Sequence, residues 1–208
     1  MHVIKPGPWI EAVEPAAGRS WPLVLAPGML VSIRGSELNT GASELYLADK
    51  AVPVLSASDN RLIALLPEEV IGRAELRLRN SAGQHAVHVF LESAFPALFL
   101  REGLAAAVHS FSGEPVSAGN PAAPGEIISV FLTGLGTTTT SRGLPVALHQ
   151  PVVRIAERQC EILYAGRAPA LPGIDQVNCR LPPELPSGAV RLQVTSGNRT
   201  GAAALAVR

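Results

Sequence analysis

Apolar and polar positions alternate along much of this chain with a period of two. In GRAELRLRN (72–80), Ala74, Leu76 and Leu78 fall on one side, and Arg73, Glu75, Arg77 and Arg79 on the other. In GAVRLQVT (188–195), Val190, Leu192 and Val194 oppose Arg191, Gln193 and Thr195. Strict alternation marks a half-buried strand, with one face on a core and one in water. Pro and Gly separate such segments at a spacing of about 8–12 residues. Two stretches, Glu68–Val70 and REGLAAAV (101–108), have the composition of a short helical turn. Neither is long enough to carry an amphipathic helix, and the second sits where a strand is expected. The pattern therefore predicts an all-β chain of short strands.

The strands are written twice. Ala26-Pro27-Gly28 is repeated as Ala123-Pro124-Gly125, and Val31-Ser32-Ile33 as Ile128-Ser129-Val130. LADKAVPVL (47–55) falls on IAERQCEIL (155–163), RLIALLPEEV (61–70) on QVNCRLPPEL (176–185), and GRAELRLRNS (72–81) on GAVRLQVTSG (188–197). The order holds throughout, so the repeat is a module. A period near 100 residues means two tandem domains, not a solenoid. We place them at 1–92 and 93–208. Seven or so short strands per domain describe an immunoglobulin-like β-sandwich.

Composition supports this without adding a ligand. The chain has 208 residues, 47% of them hydrophobic, with Gly 19 and Pro 18, which suits strands joined by turns. Charge balances at 17 against 17; residues 1–92 carry 8 basic and 10 acidic side chains, and 93–208 carry 9 and 7. Neither half offers the basic surface that nucleic acid requires. No apolar run has the length of a membrane span, and the opening MHVIKPGPWIEAVEP lacks the apolar stretch of a signal peptide.

The arrangement P-x-x-G, then P-G before an apolar strand, then an apolar-Pro pair and a Gly opening an alternating strand, resembles the TIG/IPT immunoglobulin-like domain. The residues that carry it are Pro15, Gly18, Pro27-Gly28, Leu66-Pro67 and Gly72 in the first copy, and Pro124-Gly125, Leu181-Pro182 and Gly188 in the second. Over 94–208, the motifs FPALFL, GNPAAPG, TGLG, ILYAG and the closing ALAVR resemble an uncharacterised C-terminal domain abundant in Solibacter-type Acidobacteria, found at the ends of large secreted or surface proteins. That resemblance implies an extracellular or cell-envelope location and no catalytic residues. The family usually has small or apolar residues where this chain has Cys160 and Cys179.

Few residues invite chemistry. Cys160 and Cys179 fall on inward faces of neighbouring strands, nineteen positions apart. They are candidates for a disulfide if the chain is exported, and otherwise pack as buried thiols. His85 and His88 lie three apart, hence on opposite faces of a strand, and His2, His109 and His149 are dispersed, so a metal site is not expected. GLGTTTT (134–140) begins like a phosphate loop but lacks the following Lys and a helix, and reads as a mobile loop. Trp9 and Trp21 are candidate sugar- or partner-binding aromatics; alternatively one fills the core and the other covers the seam between domains. Phe95, Leu98, Phe99 and Leu100 are too apolar for a free linker, which predicts a wedge between the domains.

The expectation is a non-enzymatic tandem of sandwiches without cofactors, acting outside the cell in adhesion, ligand presentation or as a structural spacer, with a protein or glycan partner. The alternatives are a carbohydrate-binding accessory module of a secreted enzyme, which calls for exposed aromatics, and a homo-oligomer or fibre built by strand-edge pairing. Loops 36–43 and 133–150 are the places where a partner is expected.

Overall fold

The alternating segments are long hairpin strands. Gly72–Asn80 pairs antiparallel with Gly83–Leu91, and Gly188–Ser196 with Arg199–Val207. Leu76, Leu78, Leu192 and Val194 are buried, while Arg73, Glu75 and Arg191 face outward. The computed structural model describes residues 7–18 and 24–208, and among these there is no helix.

The chain forms two tandem immunoglobulin-like β-sandwiches. In the first, one sheet has the order Trp9–Pro15, Leu30–Ser36, Arg61–Leu65, Val54–Ser58, and the other Lys50–Ala51, Glu44–Leu47, Gly72–Asn80, Gly83–Leu91. Their inner faces meet in a core that includes Ile33, Leu47, Leu62, Leu76 and Leu91. In the second, the sheet Ala107–His109, Ile127–Thr133, Asp175–Arg180, Glu161–Arg167, Leu144–Ala147, Thr138–Ser141 faces a sheet built around Val152–Ile155, Gly188–Ser196 and Arg199–Val207. Its separate core includes Ile128, Val130, Val153, Val177, Leu192 and Leu205.

The repeat extends to individual hydrogen bonds. The N–H of Gly28 donates to the Pro67 carbonyl at 3.3 Å, and that of Gly125 to the Pro182 carbonyl at 3.2 Å. Val52 donates to Leu45 at 2.8 Å, and Cys160 to Val153 at 2.9 Å. The turn at Ala48-Asp49 has φ of 46° and 64°, and its counterpart at Ala156-Glu157 has 47° and 63°. A β-bulge falls between Val54 and Ser56 in one copy and between Ile162 and Tyr164 in the other. Residues 101–108 are short strands about a turn, and Glu68-Glu69 is a turn.

The junction is packed. Phe95 lies against the first core, and Leu98 belongs to the second. Phe95 donates its N–H to the Gly134 carbonyl at 2.8 Å, and the Arg199 guanidinium sits 5.9 Å from its ring centroid. Leu100, by contrast, is 58% exposed and takes no part in the wedge.

Candidate functional site: a charged seam and a distal cleft

Two places hold concentrated polar chemistry. One is the seam between the sandwiches. The Glu161–Arg167 strand ends on Arg167, and the neighbouring Asp175–Arg180 strand begins on Asp175. Both lie at positions that alternation turns inward, level with Ala165 and with Val177 and Cys179. Arg167 Nη1 donates to Asp175 Oδ1 at 2.5 Å. Its Nε and Nη2 donate to Oε1 of Glu68, in the first sandwich, at 3.1 and 2.7 Å, and Nη2 also reaches the Gly136 carbonyl at 3.1 Å. Glu68 Oε2 accepts from the Thr138 N–H at 2.8 Å. Thr137 donates its hydroxyl to the Glu68 carbonyl at 3.1 Å. The Thr133 hydroxyl accepts from the Leu30 N–H and donates to the Gly173 carbonyl, both at 2.8 Å. Also at the seam, Arg199 is paired with Glu92 through two nitrogens.

Burial sets the electrostatics here. Asp175 is wholly buried. Desolvation pushes its carboxyl up to about 6, against the pull of Arg167 and of the Leu135 and Gly134 N–H groups. Burial also opposes the charge on Glu68, but the Thr138 N–H and the Arg167 guanidinium outweigh it and hold that carboxyl below its usual range. An open cleft of about 360 Å³ borders the seam, lined by Leu65, Leu66, Glu68, Arg167, Leu171 and Pro172. Its two charged groups are bonded to each other, so they hold the domains together and leave little for a ligand.

Glycine makes the close approach feasible. A Cβ on Gly134, whose φ is +92°, would lie 2.2 Å from the Phe95 carbonyl oxygen and 2.4 Å from Met29 Cε. The stretch 134–140 is thus no mobile loop. Its Gly-rich start is pressed into the seam, and Thr138–Ser141 is a strand. The same fact removes the first part of 133–150 from the exposed partner-binding loops expected from sequence. Seam residues were not singled out from sequence, although an acid and a base at inward positions at adjacent strand ends were a usable signal.

The second place is the opposite end of the second sandwich. The Ile127–Thr133 strand runs from there to the seam, about 20 Å at about 3.3 Å per residue. His109 Nδ1 lies 2.5 Å from Glu126 Oε1, and its Nε2 lies 3.2 Å from the Asn120 carbonyl. Glu126 Oε2 accepts from the Ala123 N–H at 2.8 Å. Burial opposes ionisation of Glu126, but the Ala123 N–H, His109 and Arg208 hold its carboxyl below the usual range. These groups border a cleft of about 590 Å³, whose rim includes Phe111, Ser112, Glu114 and Arg208. The Phe111 side chain is fully exposed.

The residues singled out from sequence lie elsewhere. Trp9 is 57% exposed and stacks on His85 with ring centroids 4.2 Å apart, so it does not fill the core. Trp21 is outside the described residues. His85 accepts the Ile10 N–H at 3.0 Å and has no part in a metal site. Cys160 and Cys179 are buried free thiols that lie close enough to interact. That contact holds the Cys160 thiol below its usual value and raises that of Cys179. Among the described residues, no group of three His, Cys, Asp or Glu is placed to hold a metal.

No family model matches the chain, and no curated protein matches it. Several solved structures share its architecture at low similarity. A surface glycan-binding protein from Prevotella bryantii has 10% identity and a TM-score of 0.37, over 96% of this chain and 42% of that one. A Bacteroides ovatus protein of the same type, from a mixed-linkage glucan utilization locus and in complex with a mixed-linkage heptasaccharide, has 14% identity and a TM-score of 0.40, over 94% of this chain and 46% of that one. A titin structure has 11% identity and a TM-score of 0.31, over 98% of this chain and 100% of that one. The chain thus spans less than half the length of these glycan-binding proteins, and likeness of this order says nothing about a ligand.

Proposed function

We propose that this chain is a non-catalytic, rigid two-domain spacer that presents a binding surface outside the cell. The observation that carries this reading is the seam. Two charge pairs, Arg167 with Glu68 and Arg199 with Glu92, join the sandwiches, and the Thr133 hydroxyl links Leu30 of the first to Gly173 of the second. A flexible tether needs none of these. The Arg167–Glu68 pair, largely shielded from water, specifies one arrangement more than it adds net stability, which is what a spacer requires, and the more exposed Arg199–Glu92 pair adds a second tie. The titratable groups at the seam are committed to one another, which favours a structural role over a reaction centre. The resemblance of 94–208 to a domain from the ends of surface proteins supports an exported location.

Small-angle scattering on the intact chain tests the reading. The expected profile fits one fixed arrangement of the two domains, and the fit degrades when Arg167→Ala and Arg199→Ala are combined. A wild-type profile that requires an ensemble of freely hinged domains would overturn it.

A further inference from the structure

The two sandwiches are copies, so their equivalent ends can be laid side by side. In the first, the end around Ala26-Pro27-Gly28 is covered by the second sandwich: a Cβ on Gly28 would meet Arg167 Nη2 at 1.8 Å. In the second, the matching end around Ala123-Pro124-Gly125 is uncovered, with nothing within 4 Å of a Cβ on Gly125. The pairing register aligns the side chains at these ends. Pro15 pairs with Val31 where His109 pairs with Ile128. By the same alignment Ala17 becomes Phe111, the buried Met29 becomes Glu126, and Glu92 becomes Arg208. An end whose Met29 is buried and whose Glu92 is taken up by Arg199 in one copy carries the His109–Glu126 pair, the Arg208 guanidinium and an exposed aromatic ring in the other.

From this we infer that the distal cleft of the second sandwich is a binding site for a neutral saccharide. The cleft, about 590 Å³, falls within the size range of small-ligand sites. Charges of both signs line it, Glu114 and Glu126 beside Arg208, and Glu126 is already paired with His109, so no wall of one sign selects an anion or a cation. Glu126 is held by His109 and the Ala123 N–H, and Asn120 by Glu114 and the Pro115 carbonyl, so the Arg208 guanidinium and the outer Glu114 oxygen are the donor and acceptor offered to a pair of vicinal hydroxyls. Phe111 adds what a purely polar ligand does not need: a flat apolar surface, wholly in water and recoverable on binding. A pyranose ring presents a C–H face and a hydroxyl edge together, and so fits both features. The site lies across the sandwich from the seam, where a spacer would hold it away from the first domain; in that respect it rests on the reading above.

The test is a titration of the intact, isotope-labelled chain with neutral tetrasaccharides of glucose, xylose and mannose at millimolar concentration, followed by amide NMR. The expected result is saturable shifts at Phe111, Gly113 and Glu126 for at least one sugar, weakened about tenfold or more in Phe111→Ala, with Trp9→Ala binding as wild type and both variants melting as wild type. The inference fails if no sugar moves those amides, if the shifts survive Phe111→Ala, or if they map to Trp9. It fails also if the amides move only with protein concentration, which would make this end a protein seam. A flexible hinge would appear in scattering and leave the titration unchanged, so the two readings fail separately.

Discussion

Replacing Arg167 with alanine should uncouple the two sandwiches, by an amount that depends on pH. The guanidinium has three roles: it neutralises Asp175, anchors Glu68 from the other domain, and bonds the Gly136 carbonyl. Without it, Asp175 keeps only backbone donors in a wholly buried site. Removing one partner of a buried pair costs about 3–5 kcal/mol when the other must stay charged. Above the Asp175 value of about 6 the wild type holds the charged pair, and the variant must either bury that charge unpaired or take up a proton, so at pH 8 the expected loss is about 3 kcal/mol. Near pH 5 the wild-type carboxyl already carries a proton. The ion pair is then absent in both proteins, and only the bonds to Glu68 and Gly136 are lost, worth about 1–2 kcal/mol.

The chain supplies its own reporters. Trp9 and Trp21 are its only tryptophans, both in the first copy, so fluorescence follows that sandwich while circular dichroism follows both. In urea, the two probes should give coincident wild-type transitions and separate ones in Arg167→Ala. The double variant with Glu68→Ala should show a coupling energy of about 1–3 kcal/mol. Coincident transitions in the variant, or the same loss at pH 5 and pH 8, would refute the reasoning.

Three further outcomes are expected. Gly134→Ala forces a Cβ onto the Phe95 carbonyl at a left-handed φ, and should lower stability by more than about 2 kcal/mol and loosen the seam in scattering. We propose that Cys160 and Cys179 form a disulfide in an oxidising compartment, giving up two protons and two electrons to a disulfide or quinone oxidant. Native protein should then be lighter by two hydrogens and lose about 3 kcal/mol of stability on reduction, and two free thiols in material from its own compartment would end the idea. Stability should peak near pH 4.5. Glu68, held below 4.5, contributes fully above that value and loses its contribution as pH falls through the lowered one. Asp175, raised from 3.8 to about 6, acts in the opposite sense, so stability falls by up to about 3 kcal/mol as pH rises between those values. Urea midpoints that climb steadily from pH 5 to 7 would contradict the Asp175 part.

Side-chain alternation made the sandwich faces legible because burial of one strand face is a local property. Cys160 and Cys179 could be placed on buried positions by matching them to Val52 and Ala64, since a repeat transfers geometry from one copy to the other. The seam was not legible, because Glu68 and Arg167 stand 99 residues apart and the stretch between Arg167 and Asp175 has no counterpart in the first copy. Alternation says which way a strand residue points and nothing about which loop it meets. For the same reason 134–140 read as mobile: its glycines signalled a tight approach, but not that the thing approached was the other domain. Phe111 was passed over because a single exposed ring on a turn has no periodic signature.

The features that make the seam also limit how such chains assemble. Joining two copies end to end in the same way would require the near end of the first sandwich to supply an Arg167 and an Asp175. The aligned positions there are Asp59 and Asn60, in a tight turn without the intervening segment. At the far end of the second sandwich, the counterpart of Glu68 is Pro183, which cannot accept a charged hydrogen bond. A missing donor on one side and a missing acceptor on the other thus oppose a head-to-tail fibre. A lateral fibre would need a long, flat strand edge. The edge at Val54–Ser58 has five residues and carries a bulge, and the edge at Thr138–Ser141 has four and is tied at Thr138 to Glu68, whereas the edge at Gly83–Leu91 has nine in unbroken register. Bulged and short edges pair poorly with new strands. Those two edges should therefore stay unpaired, and a concentration-dependent dimer abolished by a proline at Ala57 would show that the bulged edge pairs after all.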